Sequence, residues 1–86
     1  MEIIMINAMW CPGCIVMHKV WNSIKEKYDD IKFISYDYDM DEDIVKDFNP
    51  GSVLPITIFI KGGKEIERVN GEAMEEDLIS IIEKYK

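Results

Sequence analysis

The start of the chain, Glu2 to Asn7, reads EIIMIN, and it limits the architecture more than any other feature. Four apolar residues in a row leave no polar alternation. A strand with one wet face alternates, whereas a continuous apolar run belongs to a strand covered on both faces. The chain must therefore supply helices to both sides of a sheet. With 86 residues it is expected to do so as one domain, spanning 1–86. Domains of roughly 55–65 residues already fold alone, so one modest core is within reach.

The covering elements are legible further along. From Cys11 to about Tyr28, the residues Met17, Val20, Trp21, Ile24 and Tyr28 recur at three- and four-residue steps and form one apolar stripe. Pro12 stands near the start of this helix, where its missing N–H costs nothing. Asp29 and Asp30 mark a turn, and Ile31 to Asp37 reads as a second strand. Asp41 to Phe48 reads as a short helix with acids in its first turn, which suits the helix dipole. Asn49-Pro50-Gly51 ends it.

Pro55 to Ile60, PITIFI, is a third strand rich in β-branched residues. Lys61-Gly62-Gly63-Lys64 connects it to an exposed fourth strand, Glu65 to Val69. After an Asn70-Gly71 turn comes a final helix from Glu72 to Tyr85, with Met74, Leu78, Ile81, Ile82 and Tyr85 facing inward. The order βαβαββα predicts an α/β fold. Its first two strands are parallel through a right-handed crossover, and the hairpin adds antiparallel pairing. The result is a four-stranded mixed β-sheet flanked by three helices.

Both cysteines fall in MWCPGC, Met9 to Cys14, between the first strand and the first helix. That junction has chemical meaning. Free N–H groups and the positive end of a helix dipole stabilise an anion there. A cysteine at a helix N-terminus has a lowered pKa, and its thiolate is the nucleophile of disulfide exchange. Cys11 sits at the edge of the helix and is expected to be the more exposed thiol. Cys14 lies one turn in, on the stripe of Met17, Trp21 and Ile24, and is expected to be buried. This division suits a two-step exchange in which Cys11 attacks a partner's disulfide and Cys14 resolves the mixed disulfide.

At these residues the chain resembles the thioredoxin and glutaredoxin superfamily. The resemblance covers almost the whole sequence. It rests on Trp10-Cys11-Pro12-Gly13-Cys14 after the first strand, on the element order, and on Leu54-Pro55 before the third strand. It implies a thioredoxin-like fold and a protein dithiol–disulfide oxidoreductase. It implies a cis peptide bond at Leu54-Pro55 beside the cysteine pair. It implies that the Leu54 backbone pairs with an incoming peptide, and that Trp10, Pro12, Gly13, Leu54 and Pro55 form the substrate surface around Cys11. No organic cofactor is implied, because the Cys11–Cys14 pair carries the electrons. The implied partners are protein disulfides and an electron-donating reductase or small thiol. The chain departs from the family at Pro12-Gly13 between the cysteines. It departs again at Met5, where thioredoxins place a buried aspartate six residues before the first cysteine.

The other readings of the pair are weaker. Two cysteines are too few for a disulfide scaffold, and a bond between them closes too small a loop to stabilise much. Cys11, Cys14 and His18 share one helical face, but a zinc site wants about four ligands and no fourth Cys or His exists. A metal-binding or delivery module is therefore the first alternative, and a non-catalytic interaction domain of the same fold is the second. His18 is read as a helix-surface residue, with proton transfer near Cys14 as its functional alternative.

Seventeen acidic and ten basic residues give a net charge of -7. That excludes a nucleic-acid surface, which needs clustered Lys and Arg. The run Asp37, Asp39, Asp41, Glu42, Asp43 is read as solvated, with one member capping the second helix. No segment approaches the roughly 20 apolar residues of a membrane span, and no secretory signal opens the chain. A cytoplasmic monomer is the expectation.

Overall fold

A computed structural model describes all residues, Met1–Lys86. The elements are β1 (Glu2–Asn7), α1 (Pro12–Lys27), β2 (Lys32–Asp37), α2 (Glu42–Val45), a 3-10 turn (Lys46–Phe48), β3 (Ile56–Lys61), β4 (Lys64–Asn70) and α3 (Glu75–Tyr85). The strands lie in the order β2-β1-β3-β4. β1 and β2 are parallel, with Ile4 opposite Ile34. β1 pairs antiparallel with β3, and β3 with β4. The predicted four-stranded mixed sheet with three helices is the fold found.

The apolar run of β1 is explained by its two covered faces. Ile3 and Met5 join Phe59, Met17, Trp21 and Ile24 of α1, and Leu78 and Ile82 of α3 in one buried cluster. Ile4 and Ile6 point the other way, into a smaller cluster with Val45, Ile56 and Ile58. Met5 is thus core, 1% exposed. Thr57 is the one buried polar residue, and its hydroxyl accepts a hydrogen bond from the Trp21 indole N–H at 3.1 Å. That bond satisfies two groups that would otherwise be desolvated without a partner.

At the β3–β4 connection, Gly62 and Gly63 have φ of 63° and 78°. Two residues in this region make the turn whose twist matches a right-handed hairpin, and glycine adopts it without a Cβ clash.

Several expected boundaries move. α3 begins at Glu75 rather than Glu72. Met74 is its N-cap in extended conformation and is exposed, so it does not belong to the inner face. The inward stripe begins only at Leu78, because residues 71–74 turn toward the cysteine pair instead. β3 begins at Ile56, since Pro55 has no N–H to give a ladder. The second helix is four α-helical residues followed by a 3-10 turn, and it ends where Asn49 adopts φ 51°. Asp41 occupies the N-cap of α2, but its carboxylate does not cap the helix. It accepts from the Asp37 N–H at 2.8 Å, while the Asp37 carboxylate accepts from the N–H groups of Asp39 and Met40. The acidic run is therefore a loop tied by its own side chains.

Candidate active site

The strand-to-helix junction is built by two backbone hydrogen bonds. The Cys11 N–H donates to the Ala8 carbonyl, and the Cys14 N–H donates to the Cys11 carbonyl, both at 3.2 Å. Cys11 is the N-cap of α1, with φ -94° and ψ 110°, and Pro12 follows in the first helical turn. No side chain caps this helix and no acid stands in its first turn. The positive end of the α1 dipole therefore lies beside Cys11.

Both cysteines are free thiols. Cys14 is 1% exposed and Cys11 5% exposed. The expected exposure of Cys11 needs correction. It is the less buried of the two, but Ala8, Cys14, Tyr38 and Leu54 pack around it and leave only a narrow edge open. The Cys14 thiol is pushed up to about 12, above its ordinary 9.0. Burial is the main cause, and a hydrogen bond to the Cys11 side chain and the Asp37 carboxylate add to it. A hydrogen bond with the Ala8 backbone opposes the shift in part. At neutral pH Cys14 thus holds its proton.

The Leu54-Pro55 bond is cis. Its ring lies against the motif, since a Cβ built on Gly13 would stand 3.4 Å from Pro55 Cδ. The same Cβ would stand 3.1 Å from Glu72 Cγ and 3.3 Å from Glu72 Cδ. Gly13 is thus packed between a proline ring and a carboxylate stem, and glycine leaves that space free. Leu54 belongs to no strand, and its N–H and C=O enter none of the backbone hydrogen bonds outside the helices and strands.

Trp10 is 61% exposed and Met9 89% exposed, flanking the pair. The Trp10 indole N–H donates to Asp39 Oδ2 at 2.6 Å. Its ring stands edge-on to Tyr38, with centroids 6.1 Å apart. Pro12 is exposed at the helix start. Cys11, Cys14, Gly13, Leu54, Pro55 and Trp10 therefore meet at one end of the sheet.

His18 does not join them. It is exposed on α1, edge-on to Trp21 at 5.6 Å. No three His, Cys, Asp or Glu side chains are grouped to hold a metal ion. Sequence reasoning missed Tyr38, Asp39 and Glu72. An exposed indole needing an acceptor was the signal for Asp39. Glu72 carried no signal, because helical periodicity placed it in α3.

The sequence profile of the thioredoxin family, described as "Thioredoxin", matches residues 2–84. Among known proteins, thioredoxin H2 of Arabidopsis thaliana is 33% identical over 70 residues, covering 81% of this chain and 52% of that protein. Thioredoxin H3 of the same plant is 33% identical over 84 residues, covering 98% of this chain and 70% of that protein. This chain thus spans between about half and about seven-tenths of the length of these relatives. Among solved structures, a thioredoxin of Nicotiana alata superposes with a TM-score of 0.91 at 32% identity, covering 99% of this chain and 72% of that one.

Proposed function

This chain belongs to the thioredoxin family, and on that premise we propose that it is a thiol–disulfide oxidoreductase that reduces protein disulfides through Cys11 and Cys14. The observation that carries the reading is the placement of two free thiols of unequal burial at the uncapped N-terminus of α1, against cis Leu54-Pro55.

The assignment of roles follows from that placement. Cys11 is the nucleophile, because it is the less buried thiol and stands at the helix N-cap. Its thiolate attacks one sulfur of the partner disulfide. A Cys11–partner bond forms, the partner's S–S bond breaks, and the second partner sulfur leaves as a thiolate. Cys14 still carries its proton at this stage, since burial holds its pKa high. It gives that proton to the departing thiolate. The Cys14 thiolate then attacks the Cys11 sulfur, and the first partner sulfur leaves and takes a proton from water. Two electrons have passed to the partner, and Cys11–Cys14 is a disulfide.

The partner peptide lies along Leu54, whose N–H donates and whose C=O accepts in strand-like pairing. Pro55 and Gly13 form the floor, and Trp10 and Pro12 the wall. No organic cofactor takes part. A reductase or small thiol returns the pair to its reduced state. Residues 1–86 work as a single thioredoxin-like domain and as a monomer. A cytoplasmic location suits a dithiol that must be returned to its reduced state to act as a reductant. No helix is long and apolar enough to cross a membrane.

A disulfide-reduction assay on wild type, Cys11→Ser and Cys14→Ser tests the proposal. Cys11→Ser is expected to lose attack, and Cys14→Ser to stall as a mixed disulfide. Wild-type activity in both variants would refute it.

A further inference from the structure

Glu72 is an exposed carboxylate placed directly beside the dithiol motif. Its stem lies on Gly13, inside the CPGC motif, at distances that a single added methyl group would close to 3.1 Å. The segment that holds it, residues 71–74, leaves β4 and passes the motif before α3 starts. Gly71 makes this path with φ 88°, and a Cβ there would touch Val53 Cγ1 at 3.5 Å. The segment is therefore packed on both the Leu54-Pro55 loop and the cysteine motif.

The surroundings of that carboxylate are apolar and acidic. A shallow groove beside it is lined by Val16 and Val20 of α1 and by Ala73 and Met74, with Glu75 and Asp77 at its rim. No Lys or Arg lines the groove. The ion pairs of the molecule join Lys27 to Glu75, Lys46 to Asp43 and Arg68 to Glu65, so Glu72 belongs to none. Across the motif, Asp39 is already bound to the Trp10 indole. Glu72 is thus an exposed carboxylate at the edge of the dithiol that makes no ion pair, among exposed apolar side chains that include Val53 and Met74.

We propose that Glu72 determines partner specificity by receiving a Lys or Arg side chain of the protein segment whose disulfide docks on Cys11. The inference rests on the exchange reaction proposed above. The cation's aliphatic stem covers Val16 and Met74 while its head meets the carboxylate, as long basic side chains do on mixed surfaces. Arg fits best, because its planar fork pairs with both carboxylate oxygens. A partner with an acid at that place meets Glu72 as a like charge and is rejected.

The experiment uses three short peptide disulfides, identical except for Lys, Gln or Glu beside the cysteine. Their single-turnover reduction rates are measured for wild type, Glu72→Gln, Glu72→Lys and Glu26→Gln. Glu26 lies at the far end of α1 and matches the loss of one charge from the net -7 without touching the motif. Wild type is expected to prefer the Lys peptide over the Glu peptide. Glu72→Gln is expected to reduce that ratio by about fivefold, as one lost charge pair near a surface implies. Glu72→Lys reverses the preference, and Glu26→Gln leaves it close to wild type. An unchanged ratio in Glu72→Gln, or equal changes in Glu72→Gln and Glu26→Gln, overturns the inference while leaving the exchange reaction intact. Failure of wild type to reduce even the Gln peptide overturns both.

Discussion

The two long helices of this fold begin in opposite ways. α3 opens with Glu75, Glu76 and Asp77, three acids that complement its dipole. α1 opens with no acid and no side-chain cap, and a cysteine sulfur stands at its N-cap. The other end of α1 is finished conventionally, with Lys25 and Lys27 in its last turn and Lys27 reaching Glu75 of α3. α3 has no side-chain cap either, but its three acids complement the dipole. α1 has neither an acid nor a cap at its N-terminus, and the residue at its positive end is Cys11.

The comparison breaks most visibly at Cys11. Cys11→Ser is expected to lower disulfide-reduction activity by on the order of a thousandfold or more, because a serine hydroxyl does not ionise near neutral pH and the nucleophile is gone. A loss under tenfold in a coupled reduction assay would place the nucleophile elsewhere.

The buried partner thiol carries a pH dependence of its own. The folded protein holds Cys14 at about 12 against 9.0 ordinarily. Folding therefore favours its protonated form. This part of the stability is fully present below pH 9 and is lost as pH rises from 9 toward 12. Denaturant unfolding of the reduced protein should show the loss, and the difference between wild type and Cys14→Ser isolates it. A difference that is flat with pH in that window would contradict the burial argument.

A core variant comes next in size. Thr57→Val should cost about 1–3 kcal/mol, since it strands the buried Trp21 N–H. Unfolding midpoints measure this, and the dithiol should keep its activity. The N-cap contrast itself gives a smaller effect. Cys11→Ser places a good cap on α1 and should stabilise the reduced protein by about 0.5–2 kcal/mol while removing function. The smallest effect is at α3, where Glu76→Gln should destabilise by about 0.3–1 kcal/mol with activity unchanged. If Cys11→Ser destabilised the fold, the N-terminus of α1 would already have been satisfied.

Much of this architecture is legible in the residues, for a physical reason. EIIMIN needs two cover layers, and the spacing of Met17, Trp21 and Ile24 names one of them. Such periodicities are local. The two-glycine hairpin and the strand-to-helix position of the cysteines are local too. What periodicity misreads is the segment 71–74, because Met74 falls on the helical stripe of Leu78 and Ile82 yet is exposed. Its path is set by contacts with Gly13 and Val53, distant in sequence. Asp41 shows the same limit. Its position announces a cap, but the Asp37 N–H competes for the carboxylate and wins. The near-burial of Cys11 likewise depends on Tyr38 and Leu54 folding over it. Residues joined by local pattern are readable, and residues joined only by the closed fold are not.

The most direct test of the central claim is to react Cys14→Ser with a protein disulfide and map the adduct by peptide mass. The account predicts a partner chain joined through a disulfide to Cys11 and persisting until a small thiol is added. Recovery of the variant with Cys11 unmodified, while wild type under the same conditions has reduced the partner, would contradict it.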